Sequence, residues 1–182
     1  MKKVININVE RCMGCRSCQL ACSVAHSKTK RLVTAINEKP APKTRVSLVD
    51  GEGLVIPLQC RHCEDASCIK VCPTGAVTRA GEDGPVIIDC DKCIGCQWCV
   101  LVCPFGVISL DSKSKVIVKC DLCRERLAAG EEPACVTACP TRALEFVEPE
   151  KILVKKQKNS SRTIKIKEEK DNGSQKEKIS GN

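Results

Sequence analysis

The chain has 182 residues, of which 17 are cysteine, while Trp98, Phe105 and Phe146 are its only aromatic residues. That length allows one domain or two small ones, but so few aromatics and so much cysteine exclude a core built on large apolar side chains alone. The net charge of +8 falls mostly on residues 151–182, where ten Lys and Arg meet four Asp and Glu, which leaves +2 on the rest and gives no basic face for nucleic acid.

Cysteine at this density means disulfides or metal, and the compartment decides which. The opening Met1-Lys2-Lys3-Val4-Ile5 has neither the apolar stretch of a secretory signal nor a twin-arginine motif. No apolar run approaches the ~18 residues of a membrane span. A reduced, cytoplasmic setting is expected, without direct membrane insertion and at most peripheral to a membrane complex through a partner. In that setting the cysteines argue for metal.

Taken in chain order, the first β-leaning run, Val4–Val9, leads into Cys12, Cys15, Cys18 and Cys22, spaced C-x2-C-x2-C-x3-C. The polar, proline-bearing stretch from Lys28 to Arg45 reads as an exposed loop or a partner-facing insertion. A second run, Leu54–Leu58, precedes Cys60, Cys63, Cys68 and Cys72, spaced C-x2-C-x4-C-x3-C and followed by Pro73. The third run, Val86–Ile88, precedes Cys93, Cys96, Cys99 and Cys103, which repeat the first spacing and end on Pro104. The fourth, Val116–Val118, precedes Cys120, Cys123, Cys135 and Cys139, spaced C-x2-C-x11-C-x3-C and followed by Pro140. After three of the groups comes a turn and another apolar pair, ending at Val77, Ile108 and Leu144. The repeated unit is strand, cysteine loop, short helix ending at the last cysteine, turn, strand. Beyond Pro149 the composition turns to Lys, Ser, Asn, Gln and Glu, so residues 151–182 read as a basic, disordered tail, a solubilising end or a docking arm.

The spacing selects the metal. In bacterial ferredoxins a C-x2-C-x2-C-x3-C-P run wraps three thiolates around one iron-sulfur cube and sends the fourth to a neighbouring cube. Gly14 and Gly95, each just before the second cysteine of its group, permit the positive φ that close backbone approach requires. A proline after the last cysteine ends the helix and turns the chain. Zinc is the rival, and the fourth group alone would suit it. The first and third groups over-crowd a single tetrahedral ion. Sixteen of the cysteines therefore read as ligands of four 4Fe-4S clusters. At −2 for each oxidised cluster, the +2 of residues 1–150 becomes about −6 and the whole chain nearly neutral.

From residue 4 to about residue 147 the pattern resembles the four-cluster, ferredoxin-like subunits (polyferredoxins) of anaerobic redox complexes. These include the iron-sulfur subunits of dimethyl sulfoxide reductase and formate dehydrogenase, of several hydrogenases and of the carbon monoxide dehydrogenase system. Cys12-Met-Gly-Cys-Arg-Ser-Cys-Gln-Leu-Ala-Cys22, running on to Ser27, and Cys60-Arg-His-Cys-Glu-Asp-Ala-Ser-Cys68 look most like the electron-transfer protein of carbon monoxide dehydrogenase. The resemblance implies an α+β fold of two pseudo-symmetric ferredoxin-like halves of βαββαβ type, each holding two clusters. Residues 1–53 begin the first half, 54–115 form an inserted second one, 116–150 complete the first, and 151–182 are the tail. It also implies the ligand sets. Cluster 1 takes Cys12, Cys15, Cys18 and Cys139; cluster 2 takes Cys60, Cys63, Cys68 and Cys103; cluster 3 takes Cys93, Cys96, Cys99 and Cys72; cluster 4 takes Cys120, Cys123, Cys135 and Cys22. The resulting wire runs first, fourth, third, second group, with its exits at the first and second. The chain departs from the pattern at Ser23, where the proline after the first group is missing, and its third group has cysteine where some members carry tryptophan.

The implied function is one-electron relay from carbon monoxide dehydrogenase to a hydrogenase or a flavin-dependent NAD(P) reductase. The alternatives are the equivalent subunit of a molybdopterin oxidoreductase, formate dehydrogenase or hydrogenase complex and, remotely, a zinc-binding scaffold. No catalytic site is expected, because no triad, paired-carboxylate or nucleotide-binding signature is present. Cys90 reads as a buried or lone thiol near a cluster, His26 and His62 as packing, hydrogen-bonding or partner-contact residues, and Trp98 as a shield against water.

Overall fold

The β-branched run ahead of each cysteine group becomes a short strand, as its alternation suggests. The computed structural model describes residues 3–51, 53–110, 117–158 and 160. Its strands are β1 (Val4–Ile7), β2 (Ser47–Gly51), β3 (Leu54–Leu58), β4 (Val77–Arg79), β5 (Val86–Ile88), β6 (Ser109–Leu110), β7 (Ile117–Val118) and β8 (Leu144–Val147). The helices are α1 (Ser17–Ala25), α2 (Leu32–Ala35), α3 (Ser67–Lys70), α4 (Trp98–Leu101), α5 (Arg124–Ala128) and α6 (Ala134–Thr137). α3, α4 and α6 each begin beside the third cysteine of a group and stop just before the fourth. The proline that follows leaves room for little more than one turn.

The strands pair only in twos. β1 pairs with β8, while β2–β3, β4–β5 and β6–β7 are antiparallel hairpins in registers that set Ser47 against Leu58, Val77 against Ile88 and Ser109 against Val118. Two-stranded ribbons are marginal by themselves, so packing around the loops must hold them. Two apolar clusters do this. One gathers Ile5, Val46, Leu122 and Leu144 with the buried thiols Cys18, Cys22 and Cys135. The other gathers Ala66, Val77, Val86, Ile108 and Ile117 around Cys99, with Cys63, Cys68, Cys72, Cys93 and Cys103 packed against it. The first draws on segments before residue 50 and after residue 120, the second only on the stretch between them.

Two expectations change. The Lys28–Arg45 stretch is mostly exposed, as expected, but ordered: α2 lies within it and Ala35 is 2% exposed, while Val46, just beyond it, is 1% exposed. The Glu38 carboxylate accepts from the backbone N–H groups of Lys28 and Thr29 and from the Thr29 hydroxyl, which closes the loop and holds the acid below its ordinary pKa. The tail is not wholly irregular either. Residues 3–146 form one compact unit, and in the other unit, among the described residues, 149–158 are helical, with Lys151 bridging to Glu148 at 3.0 Å. Pro149 opens this helical run at a first-turn position where proline is tolerated, and the Glu, Lys, Leu and Gln that follow, with no Gly, have good helix propensity, which the high charge masks. The expected disorder beyond residue 160 lies outside the described residues. Among the described residues no helix is long and apolar enough to cross a membrane.

Candidate metal centres

The cysteine loops come in two forms. In the first and third groups the residue before the second cysteine, Gly14 or Gly95, has φ 69°, and the residue after it, Arg16 or Gln97, has φ 63° or 66°. In the second and fourth, His62 and Leu122 adopt φ 50° and 62°, and each donates its backbone N–H to the first thiol of its group, Cys60 or Cys120, at 3.4 Å. Left-handed backbone at four non-glycine residues costs on the order of 1 kcal/mol or more at each. At His62 and Leu122 it turns amide donors toward sulfur. Arg45 N–H to Cys22 Sγ and Ala143 N–H to Cys139 Sγ, both 3.2 Å, add two more donors. The two glycines are legible in the sequence, but Arg16, Gln97, His62 and Leu122 are not, because their side chains do not advertise the conformation.

Gly14 is tight too, because a Cβ there would stand 3.2 Å from Val55 Cγ2 as well as at positive φ. We expect Gly14→Ala to cost about 1–2 kcal/mol and to lower the thermal midpoint of the iron-loaded protein. An unchanged midpoint would show that the loop adapts.

The structure brings thiols together across sequence groups. Burial raises the Cys18 thiol, and the neighbouring Cys12, Cys139 and Cys15 raise it further. Burial pushes Cys120 up to about 12, with Cys22 and Cys123 adding to it. Cys123 is raised by burial and then by Cys22, and Cys135 by burial and by Cys120, Cys123 and Cys22. A cavity is lined by Cys60, Cys63, Cys68 and Cys103, and another by Cys72, Cys93, Cys96 and Cys99, where burial and the neighbouring thiols push Cys99 up to about 11. Cys15 and Cys96 are exposed, Cys18, Cys22, Cys99, Cys120, Cys123 and Cys135 are buried, and the other cysteines of the four groups lie between. Cys90 is exposed and near Cys93 and Arg45. Trp98 is 57% exposed, a surface residue instead of the expected shield.

The surroundings of the thiols are charged and ordered. His26 Nδ1 lies 2.8 Å from the Cys22 carbonyl, and Nε2 lies 3.0 Å from Asp121 Oδ1. Arg45 grips the other Asp121 oxygen at 2.5 Å. Burial opposes both charges, but His26 is raised to about 9 by Asp121, and Asp121 is held below the usual carboxylate range by His26 and Arg45. Burial also raises the Cys22 thiol, yet His26 and the Arg45 amide outweigh it and bring Cys22 below its ordinary value. His62 is different. Burial and then the Lys119 charge push it down to about 3, and its Nδ1 accepts the Val86 N–H at 3.1 Å. The neutral ring therefore carries its proton on Nε2, a buried donor with no acceptor among the described residues. The amide of Gln59, 1% exposed, also has no partner there. Lys119 and Asp121 do not stand out in the sequence, since a charged residue beside a cysteine usually faces water.

All seventeen cysteines are free thiols. Buried thiols driven as high as these stay protonated at neutral pH unless a cation accompanies their ionisation. Gathered quartets, inward-turned amides and orphaned polar atoms beside Cys60 fit a bound iron-sulfur core, whose metal charge offsets the thiolates and whose sulfides accept hydrogen bonds.

Comparison with known proteins agrees. The family model described as a 4Fe-4S dicluster domain matches residues 52–149, and that of a 4Fe-4S binding domain matches residues 9–25. The chain belongs to the 4Fe-4S dicluster family: an α+β, ferredoxin-like protein that binds 4Fe-4S clusters. It is 43% identical to an iron-sulfur protein of Rhodospirillum rubrum, over 80% of this chain and 82% of the relative. It is 42% identical to the thiosulfate reductase electron transfer subunit of Salmonella typhi, over 75% and 71% of the two proteins. A polypeptide of the anaerobic dimethyl sulfoxide reductase of Escherichia coli is 37% identical, over 77% of this chain and 70% of the relative.

Proposed function

We propose that this chain is the electron-transfer subunit of a multi-subunit oxidoreductase and carries four 4Fe-4S clusters, with a separate catalytic subunit supplying the reaction. The observation that carries the reading is the set of four thiol neighbourhoods. They support the ligand sets Cys12, Cys15, Cys18 and Cys139; Cys120, Cys123, Cys135 and Cys22; Cys60, Cys63, Cys68 and Cys103; and Cys93, Cys96, Cys99 and Cys72. The two apolar clusters support an inserted half over residues 54–115 within an outer half made of 1–53 and 116–150. When bound, the clusters supply one-electron transfer. The protein's own share is to order the thiols, aim backbone amides at sulfur and leave Cys15 and Cys96 near the surface where a partner can approach.

Relatives named for thiosulfate reductase and dimethyl sulfoxide reductase favour a catalytic partner of the molybdopterin oxidoreductase class. The narrower assignment, to carbon monoxide dehydrogenase with a hydrogenase or flavin-dependent NAD(P) reductase as acceptor, draws on the residues from Cys12 to Ser27 and from Cys60 to Cys68. A reduced cytoplasmic setting, with any membrane complex reached only through a partner, completes the proposal. Anaerobic purification should yield about sixteen iron atoms and as many acid-labile sulfides per chain. Zinc near four per chain without sulfide would end the proposal in favour of a scaffold. Carbon monoxide with purified carbon monoxide dehydrogenase should bleach the visible absorbance only under the narrower assignment, and failure to bleach leaves the molybdopterin class.

A further inference from the structure

Lys119 is 4% exposed and follows β7, immediately before Cys120. Its ammonium does not reach solvent. It donates to the carbonyl of Val86, on β5, and to that of Cys120 at 2.9 Å. Among the described residues no carboxylate pairs with it. An unpaired buried cation is costly, so something anionic must compensate it. The strand it grips identifies the direction. Val86, whose carbonyl Lys119 holds, lines the cavity of Cys60, Cys63, Cys68 and Cys103 and gives its backbone N–H to His62 Nδ1 at 3.1 Å. A side chain rooted beside the fourth cysteine group thus reaches the wall of the second.

The repeat supplies an internal comparison. Gln59 holds the equivalent place, immediately before Cys60, and is also buried, at 1% exposure. The following loops match, with His62 and Leu122 donating to the first thiol at 3.4 Å in each. The fold therefore accepts a long neutral polar side chain at this position. Position 119 differs in its charge and in the two carbonyls that hold it.

We propose that Lys119 is a positioning residue for electrons: a buried positive charge, carried from the fourth cysteine group into the neighbourhood of the second, that raises the reduction potential of the centre on Cys60, Cys63, Cys68 and Cys103. The sign follows from charge, since reduction adds an electron next to a fixed cation. The inference rests on the cluster assignment proposed above, so the iron content of the wild-type protein is the control that tests that assignment separately.

The experiment is a redox titration followed by electron paramagnetic resonance on the full, iron-loaded chain as wild type, Lys119→Gln and Lys119→Arg. The centre in question is recognised as the signal lost in Cys68→Ser. In Lys119→Gln, with iron retained, that centre should be about tenfold harder to reduce at a given ambient potential, a shift of about 59 mV to the negative. The remaining centres should move less, and Lys119→Arg should restore the wild-type value. Unchanged potentials in Lys119→Gln, equal shifts at every centre, or an equal shift in Lys119→Arg would overturn the proposal. So would loss of iron in Lys119→Gln alone, which would make Lys119 a support for assembly.

Discussion

Stripped of iron by a chelator under anaerobic conditions, the protein should lose its cooperative unfolding transition altogether, and its far-ultraviolet circular dichroism should fall toward that of an unfolded chain. The reason lies in what fills the interior. Three of the seven buried members of one apolar cluster are cysteines, and the other cluster has five partly buried cysteines packed on its surface. No strand has more than one partner among the described residues, and apart from α1 none of the labelled helices exceeds five residues. Neither element is stable alone at that size. Without metal, each proposed quartet becomes a group of thiols with nothing to join them, and the left-handed loop residues lose the sulfides that the proposal sets against them. Metal binding is then folding free energy. A sharp transition in the iron-free protein, monitored by circular dichroism during heating, would show that the aliphatic residues suffice.

The second large effect concerns Cys22. By sequence it belongs with Cys12, Cys15 and Cys18, but it is 3% exposed and raises the thiols of Cys120, Cys123 and Cys135. α1 carries it there: the helix begins at Ser17 and continues to Ala25, so that Cys18 and Cys22 lie one turn apart and both join the buried cluster. We expect Cys22→Ser to lose about four iron atoms per chain and the paramagnetic signal that Cys135→Ser also removes, while the signal lost in Cys12→Ser persists. If Cys22→Ser and Cys12→Ser instead abolish the same signal, the groups are self-contained and the crossed assignment fails.

Much of this architecture was legible because iron-sulfur loops have strict spacing and the strands have a simple alternation. Val4, Leu54, Val86 and the run ending at Val118 announce β1, β3, β5 and β7, and Gly14 and Gly95 announce their own left-handed turns. What escaped was set by tertiary context. Nothing in Arg16 or Gln97 marks them as left-handed. Polarity between Lys28 and Arg45 hid Ala35 and, just beyond the stretch, Val46, two small apolar residues that bury themselves while their neighbours remain outside. Lys119 and Asp121 looked like surface charges because sequence cannot say that Val86, His26 and Arg45 would converge on them. Trp98 failed in the opposite direction, an aromatic residue between two cysteines that faces outward.

The pairing of β1 with β8 also sets a clock. The two strands are separated by more than 130 residues of chain, so at the usual 5–20 residues per second of synthesis β1 waits roughly ten seconds for its partner to emerge. Under the proposed ligand sets the first cysteine group is, during that interval, a set of nascent thiols lacking Cys139, whereas the proposed inserted half, residues 54–115, has been completed and has its hairpin β4–β5 within reach. The proposal thus has the middle of the chain ready to receive iron before its two ends can meet.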